Sequence, residues 1–123
     1  MSTSMRFICA LLLLSLVTQG NCICSTVSDF LFSQTTTGKK IGNNVQYKMI
    51  IKNDCSCARS DIKLDCHGFS SIEKIDPAIL KINGDECLLI NGGILHAFES
   101  VSFTYTSDKL LQTRAIESTL ACP

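Results

Sequence analysis

Apolar and polar residues alternate in several short stretches of the chain, and this alternation predicts β-strands with one buried face. The clearest stretch is 100–106, in which Val101, Phe103 and Tyr105 alternate with serine and threonine. We predict strands at 29–34, 45–53, 62–66 and 100–106, and shorter strands at 79–82, 87–90 and 113–121.

Glycine, asparagine and proline mark the turns between these stretches. The segments 37–44 and 83–85 predict turns, and within the second Asn83-Gly84 is typical of a two-residue hairpin loop. Further turn signals lie at Asp76-Pro77 and 91–93, where Pro77 could alternatively open one helical turn. Because many short strands without a sustained helical stripe are typical of sandwiches or barrels, we predict an all-β fold, a small disulfide-stabilised antiparallel β-sandwich.

The N-terminal residues have the pattern of a secretory signal peptide. Arg6 precedes the apolar run 7–17, and Thr18 and Gly20 fit a cleavage site before Asn21. The run is too short to span a bilayer, which needs ~20 apolar residues. We therefore predict a signal peptide at 1–20 and one cysteine-rich domain at 21–123, secreted to the extracellular space without a membrane anchor. Cleavage after Cys22 is the second option.

The chain has eight cysteines, and Cys9 would leave with the signal peptide. In an oxidising compartment the others are expected to form disulfides. Cys22 is removed by the alternative cleavage, pairs between chains or stays a free thiol. The remaining six form a predicted three-bridge framework whose pairing stays open, comprising Cys24, Cys55, Cys57, Cys66, Cys87 and Cys122. Cys55 and Cys57 are poor partners for one another, because residues two apart in an extended segment hold their Cα atoms near the upper limit for a bridge.

Charge excludes some classes of partner. Without Arg6 the chain has ten basic and eleven acidic residues, a formal net charge of −1. Nucleic acids and anionic membranes attract proteins through concentrated positive charge, so neither is expected as a partner. The one basic cluster is Lys39-Lys40, which is either a solvated loop tip or a site that contacts a partner.

Metal and redox chemistry are not expected from the cysteine pattern. Cys55-x-Cys57 followed by Cys66 and His67 lacks the paired Cys-x2-Cys spacing of zinc sites. No Cys-x-x-Cys motif is present either, and such a motif is typical of redox-active pairs. We therefore expect no metal and no cofactor.

Catalysis is not expected either. No nucleophile-elbow pattern surrounds a serine near His67 or His96. Asp85 and Glu86 are adjacent in sequence and are predicted to lie in a solvated turn. Neighbours on one strand would point to opposite faces, so the two carboxylates do not suit the flanking of one glycosidic bond. We predict that the protein is not an enzyme.

The aromatic residues bear on a carbohydrate-binding alternative, since sugars bind on exposed flat rings. The chain has no tryptophan. Most of its rings fall on apolar strand faces and are predicted to be core, namely Phe30, Phe32, Tyr47, Phe103 and Tyr105. Phe69 and Phe98 are the aromatics most free to face a partner, and their exposure would decide this alternative.

Taken in order, these features resemble the plant tapetum-determinant-like family of small secreted cysteine-rich proteins. The matching pieces are Cys24, Gln34, Thr37-Gly38, 47–51, Asn53-x-Cys55, Cys57, Ile62-x-Leu64-x-Cys66, Gly68-Phe69-x-Ser71, Pro77, Cys87-Leu88, Gly92, Val101-x-Phe103-x-Tyr105 and Cys122. The chain departs from the founding members in Asn43-Asn44, where a proline is common, in the closer spacing of Cys55 and Cys57, and in the additional His67. These departures indicate a branch of less characterised relatives.

The resemblance implies a secreted ligand in plant cell-fate specification and anther (tapetum) development, acting through a leucine-rich-repeat receptor kinase. The expected partner is the ectodomain of such a receptor, and we expect the ligand to be a monomer. Candidate contact loops are 38–44 and 67–75, with Lys39, Lys40, His67 and Phe69 as candidate partner-binding residues. A cell-wall carbohydrate-binding module is the alternative function.

Overall fold

A computed structural model describes residues 24–122, and these form two antiparallel β-sheets. The predicted signal peptide at 1–20, its cleavage site and Cys22 lie outside the described residues. None of the described residues belongs to a helix long and apolar enough to cross a membrane. The seven strands are β1 (Phe30–Ile41), β2 (Asn44–Asn53), β3 (Ala58–Asp65), β4 (Leu80–Asn83), β5 (Glu86–Leu89), β6 (Ser100–Ser107) and β7 (Ala115–Ala121).

The first sheet has the strand order β1-β2-β6. In β2 the predicted alternation holds, because Met49, Ile51 and Asn53 are buried while Lys48 is exposed. Register pairs Met49 with Phe103 of β6, and Phe103 is also buried. The side chains at alternate positions of β2 and β6 therefore form one inner face, as the sequence pattern predicted.

The second sheet has the order β4-β5-β3-β7, so β4 is an edge strand. Its inner face contributes Ile62 and Leu64 from β3 and Leu80 and Leu89 from the β4–β5 hairpin. These side chains pack in one cluster with Met49, Ile51, Phe103 and Tyr105 of the first sheet. The predicted all-β, disulfide-stabilised sandwich is thereby confirmed.

Two turn predictions were wrong in detail. The segment 37–44 is mostly strand, since β1 continues to Ile41 and pairs there with Asn44. The register shifts between Thr36 and Lys40, and this bulge accommodates Gly38 at φ +94° without ending the strand. The turn itself is Gly42-Asn43.

The β4–β5 hairpin turn is Gly84-Asp85, one residue later than predicted, because Asn83 pairs with Glu86. Gly84 has φ +64°, and Asp85 is not among the residues with positive φ. Glycine at the first central position is the requirement of a type II′ turn, which suits the twist of the flanking strands. The glycine therefore selects the turn position rather than the asparagine before it.

Strand ends also differ from the prediction. β3 begins at Ala58 rather than at 62, and β7 begins at Ala115 rather than at 113. Phe32, predicted to be core, is 36% exposed because it lies on the edge strand β1, where it contacts Phe30 with ring centroids 6.1 Å apart. The other aromatics predicted as core, including Phe103 and Tyr105, are buried or packed against the core.

Candidate functional site

Three disulfides connect segments of the sandwich that are distant in sequence. Cys24 pairs with Cys55, Cys57 with Cys122 and Cys66 with Cys87, with Cα–Cα distances of 6.0, 4.3 and 5.8 Å. No described cysteine is a free thiol. The segment between β2 and β3 is therefore bonded to both ends of the described chain, and the third bridge joins the end of β3 to β5.

The sulfur atoms of Cys24, Cys55 and Cys57 lie within 4.8 Å of one another, a spacing that could hold a metal ion. All three residues are buried and all three are in disulfides. Cysteine binds a metal through its thiolate. Because these sulfur atoms are bonded in disulfides, the cluster lacks the thiolate donors that a soft metal needs. The cluster is best understood as two adjacent covalent bridges.

A buried arginine, Arg59 of β3, holds the segment before β1 against the sandwich. Its guanidinium donates to the carbonyl oxygens of Ser25 at 2.6 Å and Ser28 at 2.9 Å and to the Oγ of Ser118 at 3.3 Å. It also lies over the ring of Phe30, 4.2 Å from the centroid. Burial lowers the pKa of Arg59, while nearby Asp29 acts in the opposite direction.

Asn53 completes this buried network from the end of β2. Its Oδ1 accepts a hydrogen bond from Nε of Arg59 at 2.7 Å. Its Nδ2 donates to the carbonyl oxygens of Cys57, Leu95 and His96 at 2.8, 3.2 and 3.1 Å. One amide side chain thus satisfies backbone groups from two loops that are distant in sequence.

The loop 66–79 is fastened to the first sheet through Glu73. The Glu73 carboxylate accepts hydrogen bonds from Nζ of Lys39 at 2.8 Å, Nε2 of Gln46 at 2.9 Å and Oγ1 of Thr106 at 2.6 Å. These bonds, from Lys39 first, then Thr106 and Gln46, lower the pKa of Glu73 to about 2. The loop is consequently tied to β1, β2 and β6 at once.

Backbone contacts support the same attachment. The N–H of Ile72 donates to the carbonyl of Thr106 at 2.8 Å, and the N–H of Thr106 donates to Oγ of Ser71 at 3.0 Å. The Ser71 hydroxyl donates in turn to the carbonyl of Glu73 at 2.6 Å. These bonds cover part of the free edge of β6 and position Ile72 with 58% of its surface exposed.

The four candidate partner-binding residues take different roles. Lys39 is engaged by Glu73, so the two candidate contact loops, 38–44 and 67–75, are joined by an ion pair. Lys40 is exposed. The His67 side chain is 80% exposed and pairs through Nδ1 with the Asp85 carboxylate at 3.2 Å.

Phe69 is less accessible than expected. It is half-buried and packs edge-on against Tyr105 with ring centroids 5.3 Å apart, and its backbone N–H donates to the carbonyl of Cys66. Phe98, the other aromatic expected to face a partner, is 53% exposed. A flat sugar platform would thus rest on Phe98 rather than on Phe69.

An open cleft of about 500 Å³, which we call the edge cleft, lies beside the loop 66–79. It is bounded on one side by 71–77 and on the other by the edge strand β4. Apolar lining comes from Ile72, Ile75, Pro77, Leu80 and Ile82, and the charged lining from Glu73, Lys74 and Lys81. The cleft adjoins the Glu73 network and presents both apolar surface and cationic groups.

Sequence reasoning assigned no structural role to Arg59, Asn53 or Glu73, although Asn53 belongs to the matching motif Asn53-x-Cys55. Arg59 lies before the predicted start of β3, and its partners come from segments up to 59 positions away in sequence. The available signal in the sequence was the position of this charged residue, after Cys55 and Cys57 and before the predicted apolar strand 62–66. Glu73 lies within a candidate contact loop, but its three donors come from other strands and give no local pattern.

A family model described as tapetum determinant 1, C-terminal, matches residues 26–122 of the chain. The chain is similar to TPD1 protein homolog 1A of Oryza sativa subsp. japonica, with 44% identity over 55 residues, which cover 44% of this chain and 24% of that protein. It is also similar to TPD1 protein homolog 1B of the same organism, with 36% identity over 63 residues, or 50% of this chain and 37% of that protein. The matches thus span well under half the length of these curated relatives. No solved structure matches.

Proposed function

The chain belongs to the tapetum determinant 1 family, and on that premise we propose that it is a secreted cysteine-rich signalling ligand in plants. Its partner would be the ectodomain of a leucine-rich-repeat receptor kinase, and its role cell-fate specification in anther development. The observation that carries the proposal is the family match across residues 26–122, which is almost the whole described sandwich.

The surface supports a role in binding rather than in catalysis. Each histidine ring has an exposed carboxylate as its partner, Asp85 for His67 and Glu99 for His96 at 3.1 Å, and no serine or cysteine side chain among residues 24–122 is hydrogen-bonded to either ring. Three bridges and the Glu73 network hold the loops in fixed positions, which reduces the entropy lost when a partner binds. We propose that the protein is not an enzyme and that it binds as a monomer.

Direct binding tests this proposal. The oxidised protein, residues 21–123, is immobilised and exposed to a panel of plant leucine-rich-repeat ectodomains in biolayer interferometry. We expect saturable binding to one of them, and loss of that binding when the ligand has been reduced and alkylated beforehand. The matched control is ligand treated with the alkylating reagent alone.

Absence of binding to any ectodomain, together with retention on insoluble cell-wall polysaccharide, would replace this function with the carbohydrate-binding alternative. The exposed ring of Phe98 favours that alternative more than any other described aromatic. Under it, Phe98→Ala would abolish the retention.

A further inference from the structure

We propose that the edge cleft binds an extended, acidic segment of the partner protein, which adds to β4 as a further strand. This inference rests on the proposed function, because the segment would belong to the receptor. It concerns the cleft between 71–77 and β4. Three properties of that cleft carry the argument: unpaired backbone groups, an apolar floor and free cationic side chains.

The outer edge of β4, on the side away from β5, has backbone hydrogen-bonding groups without backbone partners. Because Asn83 and Glu86 close a two-residue turn, bonded and non-bonded pairs alternate from there, and Ile82 and Leu80 direct their N–H and C=O groups away from β5. The Leu80 N–H follows this geometry, since it donates to the carbonyl of Asp76 at 3.0 Å rather than to β5. The N–H and C=O of Ile82 and the C=O of Leu80 have no backbone partner within residues 24–122.

These three groups match what an added strand needs. In an added antiparallel strand, the residue opposite Ile82 would exchange two hydrogen bonds with it. The residue two positions along that strand would donate its N–H to the carbonyl of Leu80. β4 has four residues, and four extended residues span ~13 Å. An incoming segment of similar length would be held mainly by main-chain bonds.

Side chains of the cleft supply the apolar contact. Ile72 is 58% exposed and Ile82 is 44% exposed, and they lie on opposite walls. Pro77 and the half-buried Ile75 complete the apolar lining. Alternate side chains of an added strand point to the same face, so every second residue of the segment would be apolar.

Charge identifies the other residues of the segment. Lys74 and Lys81 line the cleft, are exposed and have no ion pair among the described side chains. The Glu73 carboxylate on the same wall is already neutralised by Lys39. Asp76, at the end of the wall, accepts the Ala78 N–H. Two free cations therefore favour aspartate or glutamate in the bound segment.

The first test uses a defined probe that does not depend on finding the receptor. The 15N-labelled oxidised protein is titrated with a six-residue peptide that alternates aspartate and valine, and separately with one that alternates lysine and valine. We expect saturable amide shifts at Ile72, Lys74, Lys81 and Ile82 with the acidic peptide alone. No shifts, shifts confined to other surfaces, or equal effects of both peptides would overturn the inference.

Substitutions separate the main-chain contribution from the electrostatic one. Ile82→Pro removes the outward N–H while sparing the bonds to β5, and we expect at least tenfold weaker binding of the acidic peptide. Ile82→Val retains the N–H and should bind within about twofold of the unmodified protein. Lys74→Glu with Lys81→Glu should weaken binding at least tenfold, whereas the equal charge change at exposed Lys48 and Lys109 should not. Unchanged binding by Ile82→Pro or by the double variant at the cleft, with the native spectrum retained, would contradict strand addition.

The same variants distinguish this inference from the proposed function. If the unmodified protein binds a receptor ectodomain and the cleft variants bind it equally well, the receptor role stands and the cleft inference fails. If no ectodomain binds, the receptor role fails and the peptide titration alone decides whether the cleft accepts an acidic strand. Stronger shifts of the cleft amides with polygalacturonate than with the peptide would overturn the inference in favour of an acidic wall polysaccharide.

Discussion

The Nε of Arg59 donates to Oδ1 of Asn53 at 2.7 Å, and both side chains are completely buried. This bond connects β3 to the end of β2, and through their other bonds the two residues hold the segment 24–29 and the loop at 95–96. One buried cation and one buried amide therefore hold two strands, the segment before β1 and the loop at 95–96 together.

Asn53→Ala should destabilise the fold strongly. The substitution removes the Nδ2 donor from three backbone carbonyls and the Oδ1 acceptor from Nε of Arg59. The carbonyls of Leu95 and His96 keep the N–H groups of Arg59 and Glu99, but the carbonyl of Cys57 and Nε of Arg59 lose their partner, so we expect a loss of about 2–4 kcal/mol in the free energy of unfolding. Urea denaturation with the bridges intact measures the loss. Asn44→Ala is the matched control, because the Asn44 side chain makes only one hydrogen bond in the described structure, an exposed bond of 3.3 Å from Nδ2 to the carbonyl of Ile41. We expect its free energy of unfolding to change by no more than about 0.5 kcal/mol. Equal effects at both positions would contradict the role assigned to Asn53.

Acid should loosen the loop 66–79 through Glu73. The folded-state pKa of Glu73, about 2, is below its ordinary value of 4.5, so its contribution to stability is present above pH 4.5 and is lost as the pH falls toward 2. We expect Glu73→Gln to be less stable than the unmodified protein at pH 6, and the difference to shrink between pH 4.5 and 2. Thermal unfolding across this range measures it. Glu117→Gln, on an exposed glutamate of β7, controls for the loss of one negative charge.

Tyr105→Phe should cost about 1–3 kcal/mol, because it removes a buried hydroxyl with two partners. That hydroxyl donates to Oε1 of Gln34 and accepts the N–H of Leu111 at 2.8 Å. Tyr47→Phe is the matched control, since the Tyr47 hydroxyl has no hydrogen bond among residues 24–122, and its ring lies 5.4 Å from that of Tyr105. If both variants unfold at the same urea concentration, the hydroxyl of Tyr105 contributes nothing.

Burial also raises the pKa of Tyr105, which gives a second, alkaline signature. The neutral form is favoured in the folded state, so stability should fall as the pH rises past 10, where the unfolded tyrosine ionises and the folded one does not. The Phe variant should lack this part of the decline. An identical alkaline decline in both proteins would contradict the assignment.

Removing the bridge that closes the longer loop should destabilise the fold more, because the entropy of loop closure grows with the logarithm of loop length. Cys57–Cys122 spans 65 positions and Cys66–Cys87 spans 21. Chain entropy then gives losses of roughly 4 and roughly 3 kcal/mol for the paired Cys→Ala variants. Calorimetric melting of the two double variants measures the order. A larger loss for the shorter loop would show that native contacts, rather than chain entropy, dominate.

The sequence indicated most of this fold because strands leave a periodic pattern. The alternation in β2 and β6 located both strands to within a residue, and the register of Met49 and Phe103 follows from their common inner face. The extension of β1 through Gly38 was missed, since glycine and lysine resemble a turn until the partner strand is known. Disulfide pairing was likewise open, because it depends on which strand ends meet in three dimensions.

The candidate site was harder to infer for the same reason. Arg59 precedes the apolar alternation of 62–66, and its guanidinium is satisfied by groups distant in sequence, including the carbonyls of Ser25 and Ser28. The Glu73 network joins four segments that are distant in sequence, and no local pattern in any of them indicates that they meet. Phe69 was taken to be free because the sequence does not reveal that Tyr105 lies beneath it.

The adjacent bridges of Cys55 and Cys57 have a practical consequence for tethering the molecule. They bring Cys24 and Cys122 to the same pole, beside the Asn53 end of β2, whereas the Glu73 network contacts Gln46 near the other end of that strand. A strand of ten residues is ~33 Å long. A tag, fluorophore or surface attached beyond either cysteine would thus emerge at one pole and leave the opposite pole oriented outward.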